Sequence, residues 1–336
     1  MRLPKYLSPS ALSTWESDRE AFYLKYLVAE RPPREPQMDY MSIGSAFDAY
    51  VKAALHRALF GKGADPQFEL DAIFTEQVEE QNRDWAWAAG KYAFDAYCLT
   101  GSYGELLAML LNSREPPKFE FTVQGVVNGV PVLGKPDARF VHEQGAHVIL
   151  DWKVSGFCSK TGASPYKGYR VVRDGWGPET AKPSRGHGKA HKLYKPITHG
   201  GLEISAHYME ETSKDWADQL SIYGWLLDEE VGAENVVVCI DQLACKNNGK
   251  YPLVRVANHC CRISGGWQRS LVERLSNCWT AITSGYVFND TMSQDESDER
   301  CEILDMRASA HGEAELGGVE AWVCEIAREA IGFRKR

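Results

Sequence analysis

Gly134-Lys135-Pro136-Asp137 and Val148-Ile149-Leu150-Asp151-Trp152-Lys153 are the two stretches on which the fold of this chain turns. The second is a short apolar strand that ends in a carboxylate, and a carboxylate is costly to bury there without a partner. Residues i and i+2 of a strand share a face, so Asp151 and Lys153 converge on one spot. Outward from this point the pattern is that of strands. Lys118 to Val127 reads as one strand and Asn128-Gly129 as a hairpin turn, since both residues tolerate positive φ. Val130 to Val141 reads as the return strand, with Asp137 in its middle. Glu143-Gln144-Gly145 turns the chain into a third strand, Ala146 to Lys153, which completes a three-strand meander.

Three acids lie on this meander: Glu120, Asp137 and Asp151. Carboxylates from neighbouring strands can hold a hard divalent cation through oxygen, and the carbonyl of Trp152 can add another oxygen. Such a cation polarises a phosphate and acidifies a bound water. Lys153 can then orient that water or stabilise the developing charge. A solitary Asp-x-Lys says little, because exposed strands produce solvated ion pairs of this kind constantly. The ordered set says more.

The order Glu120, then Gly-x-x-Asp at 134–137, then Asp-x-Lys at 151–153 after an apolar strand resembles the core of the PD-(D/E)XK nuclease superfamily. Gln219-Leu220-Ser221-Ile222-Tyr223 is similar to the Gln-x-x-x-Tyr motif of its RecB-like branch. Leu12-Ser13-Thr14-Trp15 through Phe22-Tyr23-Leu24-Lys25-Tyr26-Leu27 resembles that branch's opening helix. Gly44-Ser45-Ala46-Phe47-Asp48 resembles its Gly-x-x-x-His motif, with Asp48 where the family has a histidine metal ligand.

The resemblance implies a restriction-endonuclease-like α/β fold: a central mixed sheet flanked by helices, with a long basic insertion. It implies Mg²⁺ or Mn²⁺ held by Asp137, Asp151 and the Trp152 carbonyl, with Glu120 and Asp48 as further ligands. Lys153 is then the catalytic lysine, and Gln219 and Tyr223 support it and contact nucleic acid. Some members of this branch hold an iron–sulfur cluster. Asp18 stands where their first cysteine would be, so no cluster is expected. The implied activity is hydrolysis of DNA phosphodiester bonds, exonuclease before endonuclease, in recombination, repair or phage DNA processing. The expected partners are single- or double-stranded DNA and a recombination or phage protein.

The remainder of the chain sets bounds. Its 336 residues are 44% hydrophobic, enough for a sizeable buried core, and no apolar run reaches the ~20 residues of a membrane span. The first residues lack the apolar centre of a signal peptide, so a cytoplasmic protein is expected. Nine cysteines without a Cys-x-x-Cys pair read as reduced thiols. His187 and His191 have helical spacing, but Gly186 and Gly188 argue against a helix and hence against a zinc site. No phosphate-binding G-x-x-x-x-G-K-[ST] loop occurs.

Helices are expected from Ser8, from Ser42, within 68–112, and over 214–228, 265–284 and 312–331. Strands are expected over 234–244 and 251–262, and a loop over the acidic stretch 289–300. The chain divides into a helical part (1–115), a nuclease core (116–290) with an insertion (154–212), and a C-terminal loop and helix (291–336), all in one domain. Between 160 and 200, nine Lys or Arg stand against Asp174 and Glu179, a surplus of seven positive charges in a chain of net charge −8. Lys182, Arg185, Lys189 and Lys192, with Tyr194 to stack on bases, are the expected nucleic-acid contacts. Two other readings remain open. One is an inactive nucleic-acid-binding protein on the same fold, and the other is a scaffold within a larger complex.

Overall fold

A computed structural model describes residues 1–33, 35–119, 121–155, 170–173, 182–183, 196–230, 233, 235–246, 253–288 and 292–317. The chain opens with α1 (Pro9–Ser17) and α2 (Arg19–Phe22), which runs into a π-helical turn, Tyr23–Leu27. Then come α3 (Asp39–Phe60), α4 (Leu70–Gln77), α5 (Arg83–Leu99) and α6 (Ser102–Leu111). Strands follow: β1 (Lys118–Phe119), β2 (Val123–Val127), β3 (Val130–Gly134), β4 (Ala138–Val141), β5 (His147–Ser155), β6 (Arg170–Arg173), β7 (Lys182–Pro183), β8 (Pro196–His199) and β9 (Leu202–Ser205). The chain continues through α7 (Met209–Thr212), α8 (Lys214–Leu226), β10 (Val236–Lys246), β11 (Leu253–Cys261), α9 (Gly265–Ser284) and α10 (Gln294–Gly317). Among these residues no helix is long and apolar enough to cross a membrane.

The chain forms two compact units. One gathers residues 1–35, 124–134 and 269–336; the other holds 36–123 and 135–268. The second unit is α/β. Its sheet runs in the order β1-β4-β5-β10-β11-β6-β7 and is mixed, because β5 and β10 are parallel while the other neighbours are antiparallel.

The two-residue period of β5 separates its faces. Val148, Leu150 and Trp152 join a core that includes Phe47, Val51 and Leu55 of α3 and Ala93 and Tyr97 of α5. Ile149 packs on the opposite side with Ala217, Leu220 and Tyr223 of α8. Helices α3 and α5 approach closely at Gly90, where an added Cβ would fall 2.4 Å from the Cβ of Ala46. Any larger residue at position 90 would push the two helices apart.

In the first unit, Ser8 caps α1 through its hydroxyl, which accepts from the Ala11 N–H at 3.2 Å. The hairpin β2–β3 turns at Asn128 and Gly129, with φ of 49° and 80°, as its sequence predicts.

Several expectations are corrected. The meander is interrupted: β1, β4 and β5 are neighbours in the large sheet, but β2 and β3 form a separate two-stranded sheet. Pro136 explains the break, since it has no N–H to donate and the expected strand 130–141 stops at Gly134. The acidic stretch is helical from Gln294. Ser293 and Glu296 form a reciprocal cap: the Ser293 N–H donates to Glu296 Oε2 at 2.8 Å, and the Glu296 N–H donates to Ser293 Oγ at 3.4 Å. Within the expected insertion 154–212, for which no strand was expected, β8 and β9 form a hairpin across Gly200 and Gly201, whose φ values are 55° and 81°. Cys239 and Cys260, directly opposite each other on β10 and β11, are joined as a disulfide, against the expectation of reduced thiols throughout. The expected helix 312–331 is described only as far as Gly317.

Candidate functional site

The site lies where β4 and β5 part. Their ladder runs from Val141↔His147 to Ala138↔Leu150, and ahead of Ala138 the chain turns away through Pro136. Among the described residues the β5 edge beyond Leu150 therefore lacks a strand partner on this side, and Asp137 fills the gap. Its Oδ2 accepts the Trp152 N–H at 3.0 Å. A residue's N–H and C=O leave a strand by the same edge, so the Trp152 carbonyl faces the same gap.

Asp151 is 4% exposed, on the α8 face of β5. Gln219 of α8 donates from Nε2 to Asp151 Oδ1 at 3.2 Å and to the Tyr223 hydroxyl at 2.7 Å. One helical turn separates Gln219 from Tyr223, which is why both reach the same place. The Lys135 N–H also donates to the Tyr223 hydroxyl. Lys153, 29% exposed, sets its ammonium against Asp151 Oδ2, a buried oxygen with no hydrogen bond of good geometry.

Lys52 was not expected in this group. It is 1% exposed, and its Nζ donates to Asp48 Oδ2 at 2.6 Å and to Asp137 Oδ1 at 2.9 Å. Asp48 and Lys52 are one turn apart on α3. Gly44, one turn before Asp48, lies where α3 passes β5, and a Cβ there would make ordinary contact with Val154 at 3.7 Å. The spacing Asp48-x-x-x-Lys52 was visible in the sequence. What hid its meaning is that Lys52 interrupts the apolar surface of Phe47, Val51 and Leu55, where a lysine is ordinarily directed to solvent.

Five of the expected residues are thus brought together: Asp137, Asp151, Lys153, Gln219 and Tyr223. Trp152 joins them through its backbone, and Asp48 through Lys52. Glu120, Arg185, Lys189, Lys192 and Tyr194 lie outside the described residues, and Lys182 is described only as part of strand β7.

No family model matches this chain, and no curated protein matches it.

Charge differentiates the two central carboxyls. Burial pushes Asp151 up to about 7; Lys153 offsets part of this and the neighbouring Asp137 adds to it. Burial would raise Asp137 as well. There Lys52, the Trp152 N–H and Lys153 prevail and hold its carboxyl below the ordinary carboxylate range.

Among the described residues no three His, Cys, Asp or Glu are gathered closely enough to enclose a metal. A magnesium-like ion does not need three, because it commonly binds one or two carboxylates and takes its other oxygens from water and phosphate. Asp137 and Asp151 form such a pair of hard oxygen donors, and Asp151 Oδ2 is buried, accepts no hydrogen bond of good geometry and faces the Lys153 ammonium. The residues present fit one hard divalent cation.

On the opposite face of β5 a second polar cluster was missed. The Tyr97 hydroxyl donates to Asp241 Oδ2, and Asn258 Nδ2 donates to Asp241 Oδ1 at 2.6 Å. Trp152 Nε1 reaches the Tyr97 hydroxyl at 3.5 Å. Burial pushes Asp241 up to about 6, with both hydrogen bonds opposing the rise. This cluster anchors the side chain of the residue whose backbone holds Asp137.

Proposed function

We propose that this protein is a metal-dependent nuclease of the PD-(D/E)XK type, in the manner of the RecB-like branch, acting on DNA. One observation carries the reading. Asp137, Asp151, Lys153, Gln219 and Tyr223, picked out by order and spacing over 87 positions, meet at one parting of strands in an α/β unit. Chance acids and amides on separate elements have no reason to converge.

Asp137 and Asp151 would hold the cation, with the Trp152 carbonyl on the same edge. The bound ion supplies polarisation of the scissile phosphate and acidification of a water. Lys153, the most exposed cation of the group, holds a phosphate oxygen or the attacking water and balances the charge that develops there. Gln219 fixes the rotamer of Asp151, and Tyr223 fixes Gln219. The basic stretch 160–195 follows Lys153 in the sequence and supplies the charge for a polyanion.

A second reading, a binding or scaffold protein on this fold, draws on Lys52, which already neutralises part of the acidic group. One assay separates the two. Pure protein is incubated with end-labelled single- and double-stranded DNA and RNA, linear and circular, in Mg²⁺, Mn²⁺ or EDTA. Cleavage of DNA that EDTA abolishes, and that Asp137→Ala and Asp151→Ala lack, is the expected result. Binding without cleavage in every metal overturns the nuclease reading.

A further inference from the structure

Among the described residues Lys52 is the most thoroughly buried ionised group of the site. Its ammonium, on a side chain 1% exposed, lies between two carboxylates from different elements, Asp48 on α3 and Asp137 ahead of β4. Its stem passes among residues of the α3 core face, so the ammonium cannot swing to solvent as the 29% exposed Lys153 can.

We propose that Lys52 is a resident monovalent cation that determines how many divalent ions the site accepts. It commits Asp48 and one oxygen of Asp137, and leaves a single divalent position at Asp137 and Asp151. The inference rests on the nuclease reading and goes beyond it by setting the metal stoichiometry and by removing Asp48 from the ligands.

Two physical arguments support it. The first is displacement. A second divalent ion between Asp48 and Asp137 must either expel a buried ammonium with nowhere to go or lie against it, and like charges at contact in a partly desolvated site repel strongly. The second is charge balance among the described residues. There Asp48, Asp137 and Asp151 carry three formal negative charges and Lys52 and Lys153 two positive ones, a formal −1. One divalent ion brings the group to +1, which suits a phosphodiester. Two would bring it to +3 before any substrate arrived.

The test is Mn²⁺ binding to the full-length protein, measured by calorimetry, with electron paramagnetic resonance to count bound ions. The wild type is expected to bind one Mn²⁺ per chain. Lys52→Met removes the ammonium from Asp48 and Asp137, and should bind a first Mn²⁺ at least tenfold more tightly and show a second binding event. Because three clustered carboxylates can prevent folding without metal, Asp48→Asn/Lys52→Met supplies the neutral counterpart. It should bind one Mn²⁺ no more weakly than the wild type. Unchanged affinity and stoichiometry in Lys52→Met overturns the inference, as does a double variant that loses Mn²⁺ binding, which would make Asp48 a ligand. Two ions on the wild type also overturn it while leaving the nuclease reading standing. No Mn²⁺ on the wild type removes the nuclease reading itself.

Discussion

The two central aspartates should respond in opposite directions to the same isosteric change in metal-free protein. Like charges clustered without a cation repel, which by itself argues that neutralising either one stabilises the fold. The geometry limits that argument to Asp151. Its carboxyl, 4% exposed, is pushed up to about 7. An unfolded aspartate titrates near 3.9, so the gap of about three units corresponds to at most roughly 4 kcal/mol. The sign follows from proton binding. Between these two values the folded state holds the proton and the unfolded state does not, so stability falls as pH rises from about 4 to about 7. Asp151→Asn keeps an acceptor for Gln219; the N–H₂ that replaces Oδ2 displaces the Lys153 ammonium, which at 29% exposure can turn to solvent. It should gain about 2 kcal/mol over the wild type at pH 8, and nothing at pH 4. Asp137→Asn behaves differently. Its two oxygens accept from Lys52 and from the Trp152 N–H, and an amide can accept from only one of them. A buried ammonium that loses one of its carboxylates costs about 3–5 kcal/mol. Urea unfolding in EDTA, followed by circular dichroism at pH 4 and pH 8, reads both effects. If both variants shift the midpoint in the same direction at pH 8, the assigned roles of Lys52 and of burial are wrong.

Further outcomes can be checked independently. Lys153→Ala should abolish cleavage and retain Mn²⁺ binding within a few-fold by calorimetry, since its ammonium is not a ligand; wild-type cleavage rates would remove its catalytic role. Gln219→Ala should lower the cleavage rate by about 10–100-fold, the usual cost of losing a group that orients a ligand, and should do so in kcat at saturating substrate. Asp241→Asn should reduce the loss of stability between pH 4 and pH 6 and leave the part due to Asp151, because a carboxyl raised to about 6 loses stability as pH climbs through that window; unfolding curves that keep the wild-type pH slope would refute it. Neutralising Lys182, Arg185, Lys189 and Lys192 together should reduce the salt dependence of duplex binding by a slope of up to about 3–4, at about 0.9 per phosphate contact. An unaltered slope would mean that this segment does not touch the backbone.

How much of the site was legible depended on whether its signal was local. Asp151 and Lys153 were legible because a two-residue period fixes a shared face, and Gln219 and Tyr223 because one helical turn does the same. The hairpin turn at Asn128-Gly129 was legible from its backbone demands. The break of the meander was written in Pro136. It was read as a residue inside a strand, because nothing local says that the two halves of that strand enter different sheets. The acidic stretch was read as loop from its charge, although Ser293-x-x-Glu296 is a local helix-start signal and should have outweighed composition.

Lys52 and Asp241 were illegible for a different reason. A lysine in a helix and an aspartate in a strand are ordinary until their burial is known, and burial depends on what the fold places above them. Lys52 is held by an aspartate 85 positions away and Asp241 by a tyrosine 144 positions away, and no periodicity reports either pairing. Both are groups that low dielectric makes expensive, and both are fully provided with partners. Each sits behind a residue on which the site depends: Lys52 holds one oxygen of Asp137, and the Tyr97–Asp241 pair reaches Trp152, whose backbone N–H holds the other. Asp137 is thus held by α3 and β5 together, whereas Asp151 is held by Gln219 of α8, on the opposite side of the sheet. A carboxylate that binds metal must keep its geometry when the ion leaves, and it is Asp137, not Asp151, whose ionised form this surrounding structure already stabilises.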